Sequence, residues 1–441
     1  MKKLFFLATV ALGMTAACQK PDVKVEGPEI DDNAPVEVKF GVNAPTLTVT
    51  KTKAAVERWD DTEIYIYSGV VKTDETSGAR TLNFTTPLID NRKAKVAATN
   101  AVSFPIDDTS NETYYYDVNT VYDFYGYYVD DAELILDDDG NTVTNNGTSL
   151  TAQVTITGSQ DIMLAATNME EDVTDVLTTV NSSRIYSAYA ARRGVHPTLE
   201  FKHMLSRFIF MVKKGNSNTD SKTVYVSSIS VEAPTTGTLT IAPTQSFETT
   251  DSDNPITASI KSNDVNTSWH KPQDTATEAC EDLFLFPHDT EIPLVVKLMA
   301  EGETDETKAY EMPIDLTPNM FDVTEFEKGK KYTLTLTVYN LEQVKVEATV
   351  ATWEDGGTSE YDPDETYDTA AGTFATKVTN NSSSKDVILY SKALLATDVE
   401  VFTDYKMTTP ATDGTYTTVT HTIKVESGKV TEYTENNAVQ P

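Results

Sequence analysis

Histidine, cysteine and tryptophan are scarce in this chain, with five, two and three residues respectively out of 441. Two cysteines, Cys18 and Cys280, cannot supply a disulfide framework, and the first lies where a leader peptide would end. Basic residues are few as well. Against 68 acidic side chains stand 35 Lys and Arg, a formal net charge of -33. A surface field of that sign repels phosphate backbones and anionic headgroups, so nucleic-acid binding is not expected. No run after the first twenty residues is long and apolar enough for a membrane helix. No Gly-x-Ser-x-Gly elbow aims any of the abundant serines, and His196 and His203 lack the spacing and the intervening acid of a zinc hydrolase. An enzyme is therefore not expected, nor a cofactor or metal.

What the N-terminus does contain is an export pattern. Met1, Lys2 and Lys3 form a short cationic region, residues 4–14 an apolar or small run, and "TAAC" follows. The four residues resemble a lipobox, in which cleavage precedes the cysteine and the Cys18 thiol carries a diacylglyceryl group. Thr15 stands where that box prefers leucine, so ordinary leader cleavage after Ala17 is the alternative. Residues 1–18 are thus expected to be a lipoprotein signal. Residues 19–35, polar with three prolines and a glycine, are expected to be a tether.

Beyond the tether a period of two recurs. "KYTLTLTVYN" places Tyr332, Leu334, Leu336 and Val338 on one face and Thr333, Thr335 and Thr337 on the other; "VKVEATV" follows with Val344, Val346, Ala348 and Val350 inward. The pair predicts an antiparallel hairpin. Similar runs occur at "VEVKF", "TEIYIYSG", "VYDFYGYYV", "TVYVSSISV", "GTLTIAP", "DLFLF", "PLVVKLMA", "DVILYS" and "TVTHTIKVE", separated by Asn, Asp, Gly, Pro, Ser and Thr clusters. That spacing predicts an all-β chain of antiparallel sandwiches.

The stretch "LEFKHMLSRFIFMVKKG", residues 199–215, is ambiguous. Leu199, Phe201, His203 and Leu205 alternate with polar or flexible neighbours, whereas both parities are apolar from Phe208 to Val212. A strand that starts half-exposed and becomes covered on both faces, or one with a bulge near Ser206 and Arg207, accounts for this; helical spacing through Phe201, Leu205, Phe208 and Val212 fits too. The all-β surroundings favour the strand, with His203 a structural histidine among apolar neighbours. Cys280, flanked by Glu281 and Asp282, reads as an inert buried thiol. The acidic runs at 137–140 and 361–368 lack full calcium-loop spacing and read as solvated loops. Tyr114, Tyr115, Tyr116, Tyr122, Phe124, Tyr125, Tyr127 and Tyr128 form either a sandwich core or a sugar-stacking platform, with core favoured.

The order of segments carries a resemblance. A lipobox-like start is followed by "VEVKF", "KTKAAVERWDDTEIYIYSG", "TYYYDVNTVYDFYGYY", "QDIMLAA", "LEFKHMLSRFIFMVKKG", "LFLFPHD" and "FEKGKKYTLTLTVYNLEQVKVEATVATWEDGG". This series resembles the fimbrillin family, FimA-like and Mfa-like subunits and anchors of bacteroidete type V pili, over about residues 36–355. The resemblance implies two tandem transthyretin-like β-sandwich domains, expected at 36–197 and 198–355, and export as an outer-membrane lipoprotein displayed at the cell surface. In polymerising members it implies proteolytic removal of an N-terminal strand, whose groove then receives a strand from the next subunit. Here that strand falls within residues 36–50, and Lys51, Lys53 and Arg58 are the candidate cleavage points for a maturation protease. The implied partners are further fimbrial subunits, of the same or another kind, the lipid anchor, and a glycan or host surface ligand.

The chain departs from the family in length, running on for 88 residues after Trp353. Residues 356–441 are expected to be a C-terminal β-rich extension, serving as a small third module, a tip or binding extension, or a stalk, with any donor strand in the last thirty residues. Two "DTA" triplets resemble a bacteroidete O-glycosylation acceptor and make Thr275 and Thr369 candidates. The function expected is a fimbrial structural subunit serving adhesion and colonisation. The rival is a surface glycan-binding lipoprotein using the Tyr-rich strands or the extension.

Overall fold

A computed structural model describes residues 34–43, 62–352 and 373–436, apart from 75, 78, 98–99, 108, 131, 136–140, 168–185, 193, 216–222, 251–252, 406 and 419. β-branched and aromatic residues at period two give four sheets among these residues, and the fold is mostly β. The α-helix described is one turn, Ala188–Ala191, capped by Ser187, whose side chain accepts from the Ala190 amide.

In the first, nine-stranded sheet Gly41–Asn43, Thr198–His203, Ile162–Thr167, Val121–Val129, Thr62–Thr73, Arg92–Val96, Val102–Asp107 and Ser110–Glu112 lie in that order, with Arg80–Asn83 also paired to Thr62–Thr73. One face meets a five-stranded sheet ordered Ser246–Thr249, Thr236–Ala242, Leu150–Thr155, Glu133–Ile135, with Thr144–Asn145 beside Leu150–Thr155. Tyr67, Tyr127 and Leu164 from the first sheet pack there against Ala152, Val154, Leu239 and Ile241 from the second. The opposite face of the first sheet covers a second apolar cluster, which includes Phe124, Leu199, Phe201 and Tyr186.

Farther along the chain, Thr277–Glu278, Ser206–Lys214, Lys330–Val338 and Gln343–Thr352 form one end of a ten-stranded sheet. It packs on a four-stranded sheet ordered Asp253–Thr257, Val224–Pro234, Ile292–Ala300, Tyr310–Leu316. The predicted hairpin is present in register, with Tyr332 opposite Val350 and Leu336 opposite Val346. Tyr332, Leu334, Leu336, Val344 and Val346 are buried, while Val350, at the open end of the strand, is exposed. Pairing alternate residues into one core is what makes this a sandwich.

Two expectations are corrected. The stretch at 199–215 is not one bulged strand. Thr198–His203 pairs with Ile162–Thr167 in the first sheet, and Ser206–Lys214 pairs in parallel with Lys330–Val338 in the third. Met204 and Leu205 carry the chain between sheets, and both are buried in the first sandwich core. A switch of sheet reverses which parity faces inward, and this is the reason the alternation breaks. In consequence the sheets do not divide at 197/198. Thr198–His203 and Thr236–Ala242 pair with strands of the N-terminal half, and Ser246–Thr249 joins the same sheet by pairing with Thr236–Ala242. Phe284 and Phe286 reach into the same core, where Phe286 stacks on Phe247 at 4.0 Å.

The extension is folded and continues the third sheet. Thr373–Asn380 pairs with Gln343–Thr352, and Lys385–Ser391, Gly414–Thr417, His421–Glu426 and Lys429–Glu435 follow. It has its own core of Val378, Leu389, Leu395, Val401, Ala411, Tyr416, Ile423, Val425 and Val430.

Candidate functional site

The feature that the fold builds around is the first strand. Residues 36–43 join both ends of the nine-stranded sheet. On one side Gly41–Asn43 runs parallel to residues 198–200, with the Gly41 amide donating to the Pro197 carbonyl at 3.0 Å. On the other side Glu37 bridges to Tyr115 and Gly41 to Ala101. The Val38 amide donates to Tyr114 O at 2.8 Å, and the Tyr116 amide to Val36 O at 3.1 Å. The segment therefore closes a seam that would otherwise leave two lines of backbone donors and acceptors open.

Its side chains follow the period of two. Val38 and Val42 are buried, at 4% and 0% exposure. Phe40 is half-buried and lies edge-on to Phe104 and Phe124, with ring centroids 5.9 and 4.9 Å away. Below the strand lie Tyr116, Tyr122, Phe124, Leu199 and Phe201, all buried. At Gly41 an added Cβ would sit 3.0 Å from Thr198 Oγ1, so the close parallel contact with Thr198–His203 favours glycine there.

The tyrosine cluster is mostly core. Tyr116, Tyr122, Phe124, Tyr125, Tyr127 and Tyr128 are buried, Tyr114 is half-buried and Tyr115 is exposed. The Tyr127 hydroxyl donates to Asn91 Oδ1 at 2.8 Å and its ring stacks on Tyr65 at 4.9 Å. Burial, followed by the Glu112 carboxylate that accepts from its hydroxyl, pushes Tyr114 up to about 12. A sugar platform needs exposed ring faces, and Tyr125 and Tyr127 present none.

His203 belongs to the first sheet and is buried with Asp161, Nδ1 lying 2.9 Å from Oδ1. A second buried pair, Arg207 with Asp282, has Nε to Oδ2 at 2.7 Å. Burial raises the Asp282 carboxyl against the opposing pull of the Arg207 guanidinium. Sequence reasoning missed both pairings, because Asp161 and Asp282 lie far along the chain from their partners. Cys280 is free and buried, and burial, then Asp282, pushes its thiol up.

Of the predicted site residues, Thr275 is exposed on the link before Thr277–Glu278. Cys18, Lys51, Lys53, Arg58 and Thr369 lie outside the described residues, as do both acidic runs. Among the described residues no group of three or more His, Cys, Asp or Glu is arranged to hold a metal ion.

Comparison with known families matches a fimbrillin-like family model to residues 52–353. The chain belongs to the fimbrillin-like family. The folded extension, 373–436, lies beyond the matched region. No curated protein matches. Among solved structures, fimbrillin-like similarity extends to a fimbrial protein from Bacteroides vulgatus, 12% identical, covering 72% of this chain and 99% of that one with a TM-score of 0.44. Two proteins described as cell adhesion proteins are also similar. The one from Bacteroides ovatus is 14% identical, with coverage of 73% and 98% and a TM-score of 0.43. The one from Bacteroides uniformis is 16% identical, with 72% and 99% and a TM-score of 0.41.

Proposed function

We propose that this protein is a fimbrial structural subunit, exported as an outer-membrane lipoprotein through Cys18, displayed at the cell surface, and assembled with other subunits in adhesion and colonisation. In this reading the two sandwiches are tandem transthyretin-like domains, and 36–43 is a replaceable strand. The observation that carries it is the placement of Val38 and Val42 in a seam with backbone partners on both sides. Removal of such a strand leaves unpaired amides and carbonyls over an apolar slot, which an extended strand from another subunit fills by β-augmentation. Cleavage after Lys51, Lys53 or Arg58 would detach the strand from the body of the chain, whose next described strand starts at Thr62. Thr275, exposed, suits a glycan attachment point.

The test is limited digestion of the folded protein with a trypsin-like protease, followed by intact mass and non-boiled gel electrophoresis. A cut at one of these three residues, loss of the N-terminal peptide and ladders of stable multimers are expected. A protein that is cut there, sheds the peptide and stays monomeric overturns the strand-exchange reading. An acylated Cys18 peptide from native membranes checks the export route separately.

A further inference from the structure

In the other sandwich the chain's own extension lies against the last strand that each sheet draws from the family-matched region. The four-stranded sheet has its edge at Tyr310–Leu316, and the ten-stranded sheet would end at Gln343–Thr352 if the strands of the extension were removed. The hairpin formed by Thr373–Asn380 and Lys385–Ser391 lies across both. Val344 pairs with Ala375 and Lys345 with Phe374. The Tyr310 hydroxyl is 3.5 Å from the Lys377 carbonyl, and the Lys377 ammonium lies over the Tyr310 ring at 5.6 Å.

The hairpin's inner face is part of the sandwich it covers. Ala375, fully buried, and Tyr390, 4% exposed, join Val344, Val346, Leu334 and Leu336 in one apolar cluster. Phe374 packs against Tyr339, with centroids 5.5 Å apart. The remainder of the extension has a separate core. The hairpin is therefore shared between two cores, one in the family-matched region and one beyond it. Its backbone register with Gln343–Thr352 covers only residues 343–346 and 373–376, a short ladder. One further tie is the Glu342 carboxylate, which accepts from the Thr420 amide at 2.9 Å and its hydroxyl at 2.7 Å.

We infer that the edge formed by Gln343–Thr352 and Tyr310–Leu316 is a strand-acceptor site, filled in cis by residues 373–391, and that the same hairpin of a second copy can fill it in trans. A short ladder over a shared apolar face is the form of contact that exchanges between identical chains, because each exchange restores the same contacts. The inference does not depend on the release of 36–43, since it concerns the other sandwich.

The test uses the full chain and a fluorescent synthetic peptide of residues 373–391. Ala375→Asp places a carboxylate at a fully buried position and unseats the hairpin. Hydrogen exchange at 343–346 should quicken by roughly 10-fold or more, the peptide should bind the variant and not the wild type, and binding should restore protection at 343–346. A variant that loses protection there, keeps it in Val224–Pro234 and Ile292–Ala300, and binds no peptide overturns the inference. If the substitution unfolds the whole sandwich, the wild-type chain carrying a specific protease site within 353–372, cut after folding, decides the matter. Exchange of its tail for labelled peptide is expected. A cut chain that retains its tail and takes up no label, or sheds it and takes up none, refutes the acceptor site.

Discussion

Val42→Lys should release the first strand without unfolding the protein. Docking residues 36–43 buries Val38 and Val42 fully and Phe40 in part, which at roughly 1.5–3 kcal/mol per fully buried side chain amounts to about 4–7 kcal/mol. Outside the parallel ladder with 198–200, three backbone hydrogen bonds made by Val36, Val38 and Gly41 add about 3 kcal/mol at ~1 kcal/mol each. Ordering eight residues opposes this by about 8 kcal/mol at the low end of ~1 kcal/mol per residue. The difference lies within about 2 kcal/mol of zero, so the strand is held by a narrow margin over an otherwise cooperative core. Lysine at position 42 removes one valine's share and adds the several kcal/mol needed to bury an ammonium with no partner, so the strand leaves instead. Hydrogen exchange should then show peptides spanning 34–43 exchanging at the rate of free chain. Residues 114–116 and 198–200 should lose protection, and Ile162–Thr167 and Val121–Val129 should retain it. Unchanged protection at 36–43, together with a wild-type urea midpoint, would refute the claim that the seam is closed by a marginal strand.

His270 predicts an acid-sensitive component of stability. Its Nδ1 donates to the Lys261 carbonyl at 2.7 Å, and Nε2 accepts from the Thr277 hydroxyl at 2.9 Å, which defines the neutral tautomer. Burial lowers its pKa, with the Lys261 hydrogen bond opposing. A histidine lowered in the folded state binds fewer protons there than in the unfolded chain, so its contribution is intact above about 6.5 and is lost as the pH falls below that value. His196, lowered by burial and then by Lys39, acts in the same direction. Urea midpoints should decline between pH 7 and pH 5, and His270→Gln should flatten the slope; an unaltered slope would count against the assignment. His203→Ala leaves Asp161 buried without its imidazole and should cost about 3–5 kcal/mol of stability. Denaturation of the variant at the wild-type midpoint would show that the pair is not structural.

Much of the architecture was legible along the chain because side-chain period is a local property of a strand. The hairpin of Lys330–Val338 and Gln343–Thr352 needed only its own alternation and turn, and Val121–Val129 was visible as an aromatic, β-branched run. The tyrosines read from sequence as either core or platform with core favoured, and burial of Tyr116, Tyr122, Tyr125, Tyr127 and Tyr128 places them in the core. Cys280 was readable from the two acids that follow it. Less accessible was any property that belongs to a pair of distant segments. Asp161 and His203 are 42 positions apart, and Arg207 and Asp282 are 75 apart, so neither pairing has a local signature.

What the sequence determined by itself was the class of fold, the family and the burial of the alternating strands, because each rests on short-range pattern and ordered motifs. Which sheet each strand joins was decided by tertiary structure alone. The link at Met204 and Leu205 passes the chain from one sandwich to the other, and no local preference distinguishes a bulge from a change of sheet. The same holds for the two candidate strand-exchange edges. Val38 and Val42 look like any edge strand until both ends of the first sheet are seen to meet them. The extension looks like a separate module until Ala375 and Tyr390 are found in the core of the sandwich before it. Backbone pairing between remote strands is set by which apolar faces can be covered together, and that is a property of the assembled chain.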